Sequence, residues 1–246
     1  MAEALTCCAY WGARQETAEQ IADRLRRFLR GLTAVSPAMF DTWYVDDPGV
    51  ADYRPLRLDL DTADLVELVE AGRNRDGATV FEELGFQLVC WGSGSGPRET
   101  HLRAVVGNYS PRGGPNALVL RLGKTGSGAD AGFYGSVVDV LGCVAECWEP
   151  DWGFAGNSEL RSLQRPAPPG TVYVGYAQYL SPRRAEHVVG GDFGASSRET
   201  SNGGLILSLL DPEGDGVPPG SEVLEFRKRL ERTGALEAIS KERAVY

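Results

Sequence analysis

Hydrophobic and polar positions are most regularly patterned near the start of the chain, where a short strand precedes a long amphipathic helix. Residues 5–11 form an apolar run of strand length that stops at Gly12. Thr17 and Gln20 make a capping-box pattern, and we expect Pro37 to end the helix. Apolar residues recur between them at the spacing that lines one helix face: Ala18, Ile21, Ala22, Leu25, Phe28, Leu29 and Leu32.

Further strands and helices follow from the same pattern. We predict strands over residues 86–91, 102–109, 117–122, 171–180 and 205–210. The first three are joined by loops alone, which favours an antiparallel meander. Helical spacing recurs at 63–71, from 131 to 148 and after Ser221, which we expect to cap the last helix. We expect Gly72 to end the second helix in a left-handed conformation and residues 190–204 to form a polar loop.

The order of these elements predicts an α+β fold, with a mixed, largely antiparallel sheet and helices packed mainly on one face. No Gly- or Pro-rich stretch resembles a long linker, so we predict a single domain over residues 1–246. No run approaches the ~18 apolar residues of a membrane span, and no secretory signal is recognised. An odd number of cysteines, five, argues against a disulfide framework and favours reduced thiols in the cytoplasm.

Charge is unevenly distributed along the chain. Residues 41–83, which we call the acidic segment, hold twelve acidic and four basic residues. Their net charge of −8 accounts for nearly all of the −9 of the whole chain. Such a segment repels phosphate and attracts cationic partners, although a solvated face is the more common reason for a run of charges. Direct nucleic-acid binding is disfavoured, because Lys and Arg form no basic, aromatic-interleaved pattern.

The usual sequence signatures of catalysis, cofactor binding and metal binding are incomplete. Gly123, Lys124 and Thr125 resemble the end of a P-loop, but Leu118 stands where that motif needs glycine. Residues 126–131 match a G-x-G-x-x-A pattern, yet the ribose-binding acid is not placed at the end of a following strand. The chain has only two histidines, and no serine fits a nucleophile elbow. We therefore predict no catalytic residue, no cofactor and no metal.

The residues that resemble a known family lie mainly at the two ends of the chain. Tyr10, Trp11, Gly12, Arg14 and Glu16, with the helix after them and the pair Trp43–Tyr44, resemble the opening of the immunity protein 52 family. Residues 179–181 and 232–236 resemble its closing segments. The resemblance implies a cytoplasmic antitoxin that binds and blocks a bacterial polymorphic toxin, often a nuclease of the restriction-endonuclease type, delivered by secretion or cell contact. It implies no catalytic residues.

These inferences lead to one functional hypothesis and one alternative. The hypothesis is a non-enzymatic immunity protein whose acidic segment covers the active or nucleic-acid-binding site of a toxin, with no nucleic-acid or membrane partner of its own. The alternative is a small enzyme with an unrecognised active site, in which the loop from Gly126 to Ala131 would bind a nucleotide. The sequence leaves the oligomeric state open. The predicted toxin-binding residues are Trp43, Tyr44, Asp46, Asp47, Asp52, Asp61, Asp64, Glu67 and Glu70.

Overall fold

The computed structural model describes residues 4–46, 55–60, 64–93, 99–122, 133–165, 171–211 and 216–238. The helices in these residues are α1 (Ala18–Val35), α2 (Pro37–Phe40), α3 (Asp64–Ala71), α4 (Phe133–Trp148), α5 (Ser158–Leu163), α6 (Pro182–Ala185) and α7 (Gly220–Thr233). The strands are β1 (Thr6–Trp11), β2 (Thr42–Asp46), β3 (Pro55–Arg57), β4 (Arg75–Asp76), β5 (Thr79–Val80), β6 (Phe86–Ser93), β7 (Glu99–Val106), β8 (Asn116–Arg121), β9 (Trp152–Gly156), β10 (Ala177–Leu180), β11 (Ser196–Glu199) and β12 (Leu205–Ser208).

The described chain divides into two compact units. Unit 1 combines residues 4–11 with residues 133–238, and unit 2 comprises the described residues between 12 and 122. Unit 1 is therefore built from two separate stretches of sequence. The single domain predicted for residues 1–246 stays a prediction, because a unit defined by its packing need not be a segment that folds alone.

Unit 2 is an antiparallel sheet that the three N-terminal helices cover on one face. Its strand order is β8-β7-β6-β2-β3, and the predicted meander of β6, β7 and β8 is confirmed. Helix α1 packs with α2 and α3, and these two contact β6. All seven residues of the predicted apolar stripe of α1 are buried, and the capping box of Thr17 and Gln20 is formed. Together the elements confirm an α+β fold.

Unit 1 has the strand order β11-β12-β10-β9-β1, again with antiparallel neighbours. Every residue of β9 and β10 is buried, so both faces of these central strands are covered. Helix α4 packs on β1, β9, β10 and β12, and the Trp148 ring stacks on Trp11 with the centroids 6.0 Å apart. Helix α7 buries Val223, Phe226 and Leu230.

The strand predicted over residues 171–180 is much shorter than expected. Only Ala177–Leu180 pairs as a strand, and residues 171–176 are irregular, although most of them are buried. The Gln164 side chain takes the place of a neighbouring strand here. Its Oε1 accepts a hydrogen bond from Val174 N at 3.0 Å, and its Nε2 donates to Val174 O at 2.8 Å. A side-chain amide can satisfy the backbone in this way, and strand propensity cannot reveal it.

One helix start and one loop also differ from the prediction. Helix α1 ends at Val35, as expected from Pro37, and Pro37 itself begins the short helix α2. Ser221 is not the cap of α7, because the helix starts at Gly220 after Pro219 and no side chain caps it. The predicted loop over 190–204 contains β11, whose four residues are all exposed and so give no hydrophobic alternation.

Gly72 ends α3 for a reason different from the one predicted. Its φ is not positive, so no left-handed conformation is required. Instead, Gly72 O accepts a hydrogen bond from Gln87 N at 2.7 Å, and a Cβ at position 72 would lie 2.0 Å from Gln87 O. The glycine is needed because the end of α3 approaches the backbone of β6 closely.

Candidate partner-binding surface

The acidic segment lies within unit 2 and is held there by apolar contacts on its inner side. In α3, Leu65 and Val69 are fully buried, whereas Asp64 and Glu67 are exposed. The chain before α3 is tied to α1, because Arg26 Nε donates to Leu60 O at 2.9 Å. Helix α3 therefore presents its carboxylates to solvent from a fixed backbone.

Most carboxylates that the structure describes in this segment are exposed. The exposed ones are Asp41, Asp59, Asp64, Glu67, Asp76, Glu82 and Glu83. Glu70 differs from them, because Arg73 donates Nε and a terminal nitrogen to its two oxygens at 2.8 and 2.6 Å. These hydrogen bonds lower the pKa of Glu70 and raise that of Arg73. Arg73 thus largely neutralises the charge of Glu70. We expect the exposed carboxylates to dominate the electrostatic field of this surface.

Hydrogen bonds hold the turn at the end of the acidic segment in place. The Asn74 side chain donates to Leu84 O and Gly85 O at 2.9 and 3.1 Å, and Tyr109 N donates to Glu83 O at 3.0 Å. Next to the exposed carboxylates of this turn lie Val80 and Phe81, with 43% and 36% of their surface exposed. An apolar pair beside carboxylates suits a protein contact. The sequence pattern does not indicate that this pair is exposed, because strand-like apolar residues are normally expected to be buried.

The residues predicted to bind a toxin fall into three groups. Asp64, Glu67, the partly exposed Tyr44 and the Arg73-paired Glu70 lie at the surface of unit 2. Trp43 belongs to the core: it is 2% exposed and stacks on Phe40 with the ring centroids 6.1 Å apart. Asp46 ends β2, and its side chain lies outside the description, as do the whole residues Asp47, Asp52 and Asp61.

The cysteine thiols are packed groups with low reactivity. Burial raises the pKa of Cys8 to about 11 and that of Cys90 to about 12, and it also raises the pKa of Cys7. The pKa of Cys143 is raised by its hydrogen bond with Cys147 and by burial. A nucleophilic thiol needs the opposite shift.

Cofactor and metal chemistry gain no support within the described ranges. The loop from Gly126 to Ala131 lies outside the described residues. Among the residues that the structure describes, no cluster of His, Cys, Asp and Glu has the arrangement of a metal site. In the same part of the chain, no helix combines the length and the apolarity that crossing a bilayer requires.

Comparison with known proteins supplies the family. A solved structure of the Pseudomonas aeruginosa T6SS protein PA0821 has a similar fold, with a TM-score of 0.50 at 14% identity over 93% of this chain and 72% of that chain. At this identity the likeness shows the fold alone. No match to a curated protein was found. The sequence model of immunity protein 52 matches residues 3–189, which is most of the chain, and the protein therefore belongs to the immunity protein 52 family.

Proposed function

We propose that this protein binds a cognate bacterial toxin and blocks it, and that the acidic segment supplies the electrostatic part of the contact. Membership of the immunity protein 52 family supports the binding of a toxin. The observation that carries the role of the segment is its set of exposed carboxylates on a backbone held by hydrogen bonds, with Val80 and Phe81 exposed next to Glu82. In this proposal Trp43 supports the surface from within the core.

The proposed toxin is a nuclease that is met in the cytoplasm. A nuclease must present Lys and Arg where phosphates dock, and carboxylates on an inhibitor match that field. Covering the groove would exclude the nucleic acid by occupancy alone, so the proposed function needs no catalysis and no cofactor. Matched charges mainly accelerate association and select the partner.

The enzyme alternative has no comparable support. Its glycine-rich loop lies outside the described residues, and the buried thiols have pKa values raised away from the nucleophilic range. We therefore do not propose it as a second function.

The test is to measure how fast the protein associates with the product of its neighbouring toxin gene at low and high salt. The charge-reversed variant is Glu67→Lys, Asp76→Lys, Glu82→Lys, all at exposed positions of the acidic segment. We expect the wild type to associate faster than the ~10⁶ M⁻¹s⁻¹ of unassisted docking at low salt and to slow as salt is added. The variant should associate at least about tenfold more slowly at low salt.

The matched control changes net charge equally at exposed acids of unit 1, as Glu186→Lys, Glu199→Lys, Glu237→Lys. If this control slows association as much as the first variant, net charge alone matters and the segment has no special role. If neither variant nor salt changes the rate, the acidic segment is only a solvated face. Both variants should keep the unfolding midpoint close to that of the wild type, which shows that the fold is intact.

A further inference from the structure

The sheet of unit 2 has one face that carries exposed and half-exposed side chains. Its opposite face is the core under α1, α2 and α3, where Trp43, Leu88, Leu102 and Leu118 are buried. Burial alternates strictly along β6, β7 and β8, as expected for a sheet that is covered on one side only. We call the uncovered side the open face. Its described residues are Arg57, Thr42, Tyr44, Gln87, Val89, Trp91, His101, Arg103, Val105, Ala117, Val119 and Arg121.

The register brings the large side chains of the open face into one row across all five strands. Arg57 pairs with Tyr44, Tyr44 with Trp91, Trp91 with His101, and His101 with Arg121. Residues directly opposite each other in antiparallel strands point to the same side of the sheet. The rings of Tyr44, Trp91 and His101 therefore occupy the middle of the row, with a guanidinium at each end.

The next row, towards the N-terminal end of β6, again combines apolar side chains with an arginine. Val89 pairs with Arg103, and Arg103 pairs with Val119. Val89 leaves 45% of its surface exposed, which is high for a valine in an inner strand. Tyr, Trp and Arg are the residues most enriched at the energetic centres of protein interfaces, and exposed valine adds apolar area between them. This composition is unusual for a face that only contacts water.

The described side chains of the open face carry a charge opposite to that of the whole chain. Its described side chains include three arginines, Arg57, Arg103 and Arg121, and no carboxylate. Within the described residues, none of these three arginines forms a salt bridge. In a chain of net charge −9, the described part of this face thus combines three arginines with aromatic and apolar side chains.

We infer that the open face is a second contact surface, and that it binds a carboxylate-bearing surface of the partner protein. The inference rests on the proposed function, because the partner is the toxin. Each guanidinium can take a carboxylate through two parallel hydrogen bonds, while Tyr44 and Trp91 bury apolar area between them. A nuclease carries both kinds of surface: a cationic groove for phosphates and carboxylates that hold its metal ions. The exposed carboxylates of the acidic segment match the first, and the open face, which includes Tyr44 and Arg57 of that segment, matches the second.

The size of the open face suits an interface that the open face and the acidic segment form together. At about 4.8 Å spacing, the five strands of the Trp91 row span roughly 19 Å, and the rows of Val89 and Gln87, each with three strands, extend the face to roughly 14 Å along β6. The resulting footprint, on the order of 300–500 Å² with side chains, is about half of the ~800 Å² that each partner contributes to a stable complex. The open face can therefore be the centre of such an interface, with the acidic segment supplying further area.

Two other occupants fit the open face less well. Single-stranded RNA stacks on aromatic side chains of sheets, but the net charge of −9 and the nearby acidic segment repel phosphate. A second copy of this chain would have to place its acidic segment on the open face. Such a contact joins different surfaces and extends into rings or filaments instead of closing as a dimer.

The experiment compares variants of the open face with matched controls, using the purified product of the neighbouring toxin gene as the probe. The variants are Trp91→Ala and the double change Arg103→Glu, Arg121→Glu. The control for charge is Arg165→Glu, Arg229→Glu at exposed positions of unit 1. We expect each open-face variant to raise Kd at least about tenfold, and the control to change it less than about twofold. Circular dichroism and the unfolding midpoint identify any variant that fails to fold, and Val89→Lys then replaces it.

The possible results separate this inference from the proposed function. If the wild type binds and the open-face variants bind equally well, the inference is wrong and the proposed function stands. If the wild type does not bind the probe, the proposed function fails and the inference fails with it. If the wild type binds a uridine decamer, or self-associates in sedimentation, and the open-face variants lose only that property, the face has another occupant and the inference is overturned.

Discussion

The Glu16 carboxylate accepts a hydrogen bond from Arg24 Nε at 2.7 Å within unit 2. Its other oxygen accepts one from Arg14 Nε at 2.9 Å, and only 6% of the Glu16 side chain is exposed. Arg14 N in turn donates to Asn108 O at 3.0 Å. The contacts of Arg14 and Glu16 therefore fix the segment before α1 both to the helix and to the loop that follows β7. It also gives a physical reason for the Arg14 and Glu16 positions in the resemblance to the family.

Replacing Glu16 with Ala should destabilise the protein by roughly 3 kcal/mol, because it leaves two partly buried guanidinium groups without their shared carboxylate. The measurement is denaturant unfolding followed by circular dichroism. The control is Glu67→Ala, at an exposed position where we expect a change within about 0.5 kcal/mol. Equal effects of the two substitutions would show that the Glu16 ion pairs contribute nothing beyond a surface charge.

Truncation of Phe28 to Ala should destabilise the protein by roughly 3–5 kcal/mol. Phe28 has no exposed surface and lies in the middle of the buried stripe of α1, so its removal opens a large cavity. Phe81→Ala removes the same ring from a site with 36% exposure and should cost far less. Thermal and urea unfolding of both variants provide the comparison. A loss below about 1 kcal/mol for Phe28→Ala would contradict the packing described for this helix.

Gly72→Ala should destabilise the protein by about 2–3 kcal/mol, because the added Cβ would lie 2.0 Å from the backbone oxygen of Gln87. Gly77 is the matched control. It has a φ of 56° and no atom within 4 Å of an added Cβ, so Gly77→Asn should be nearly neutral. The measurement is the free energy of unfolding of each variant relative to the wild type. If Gly72→Ala leaves it unchanged, the backbone of Gln87 does not approach position 72 as closely as 2.0 Å.

A fragment of residues 12–123 tests the predicted single domain. This fragment carries the whole described part of unit 2, and we expect it to lack a cooperative unfolding transition when it is made alone. The full chain should instead show one calorimetric transition whose calorimetric and van't Hoff enthalpies agree. Cooperative unfolding of the isolated fragment would establish unit 2 as a separate domain and end the single-domain prediction.

The sequence by itself determined α1, the meander of β6, β7 and β8, and the fold class. The stripe from Ala18 to Leu32 and the capping residues Thr17 and Gln20 are local patterns, and local patterns fix a helix and its buried face with little help from distant residues. The sequence also located the acidic segment, since charge can be counted along the chain. The family resemblance was likewise visible in the N-terminal residues, and the match over residues 3–189 confirmed it.

The tertiary structure decided what depends on distant partners. Residues 171–176 look like a strand, but the backbone of Val174 bonds to the Gln164 side chain. Gly72 is required because the backbone of Gln87 lies too close for a Cβ. The neighbours Trp43 and Tyr44 look equivalent in sequence, yet the pleat of β2 buries the first in the core and places the second on the open face. The row from Arg57 to Arg121 exists because strand register aligns residues that are far apart in sequence. The alternation of buried residues fixes only the face that a side chain takes, and a shift of two residues would preserve it.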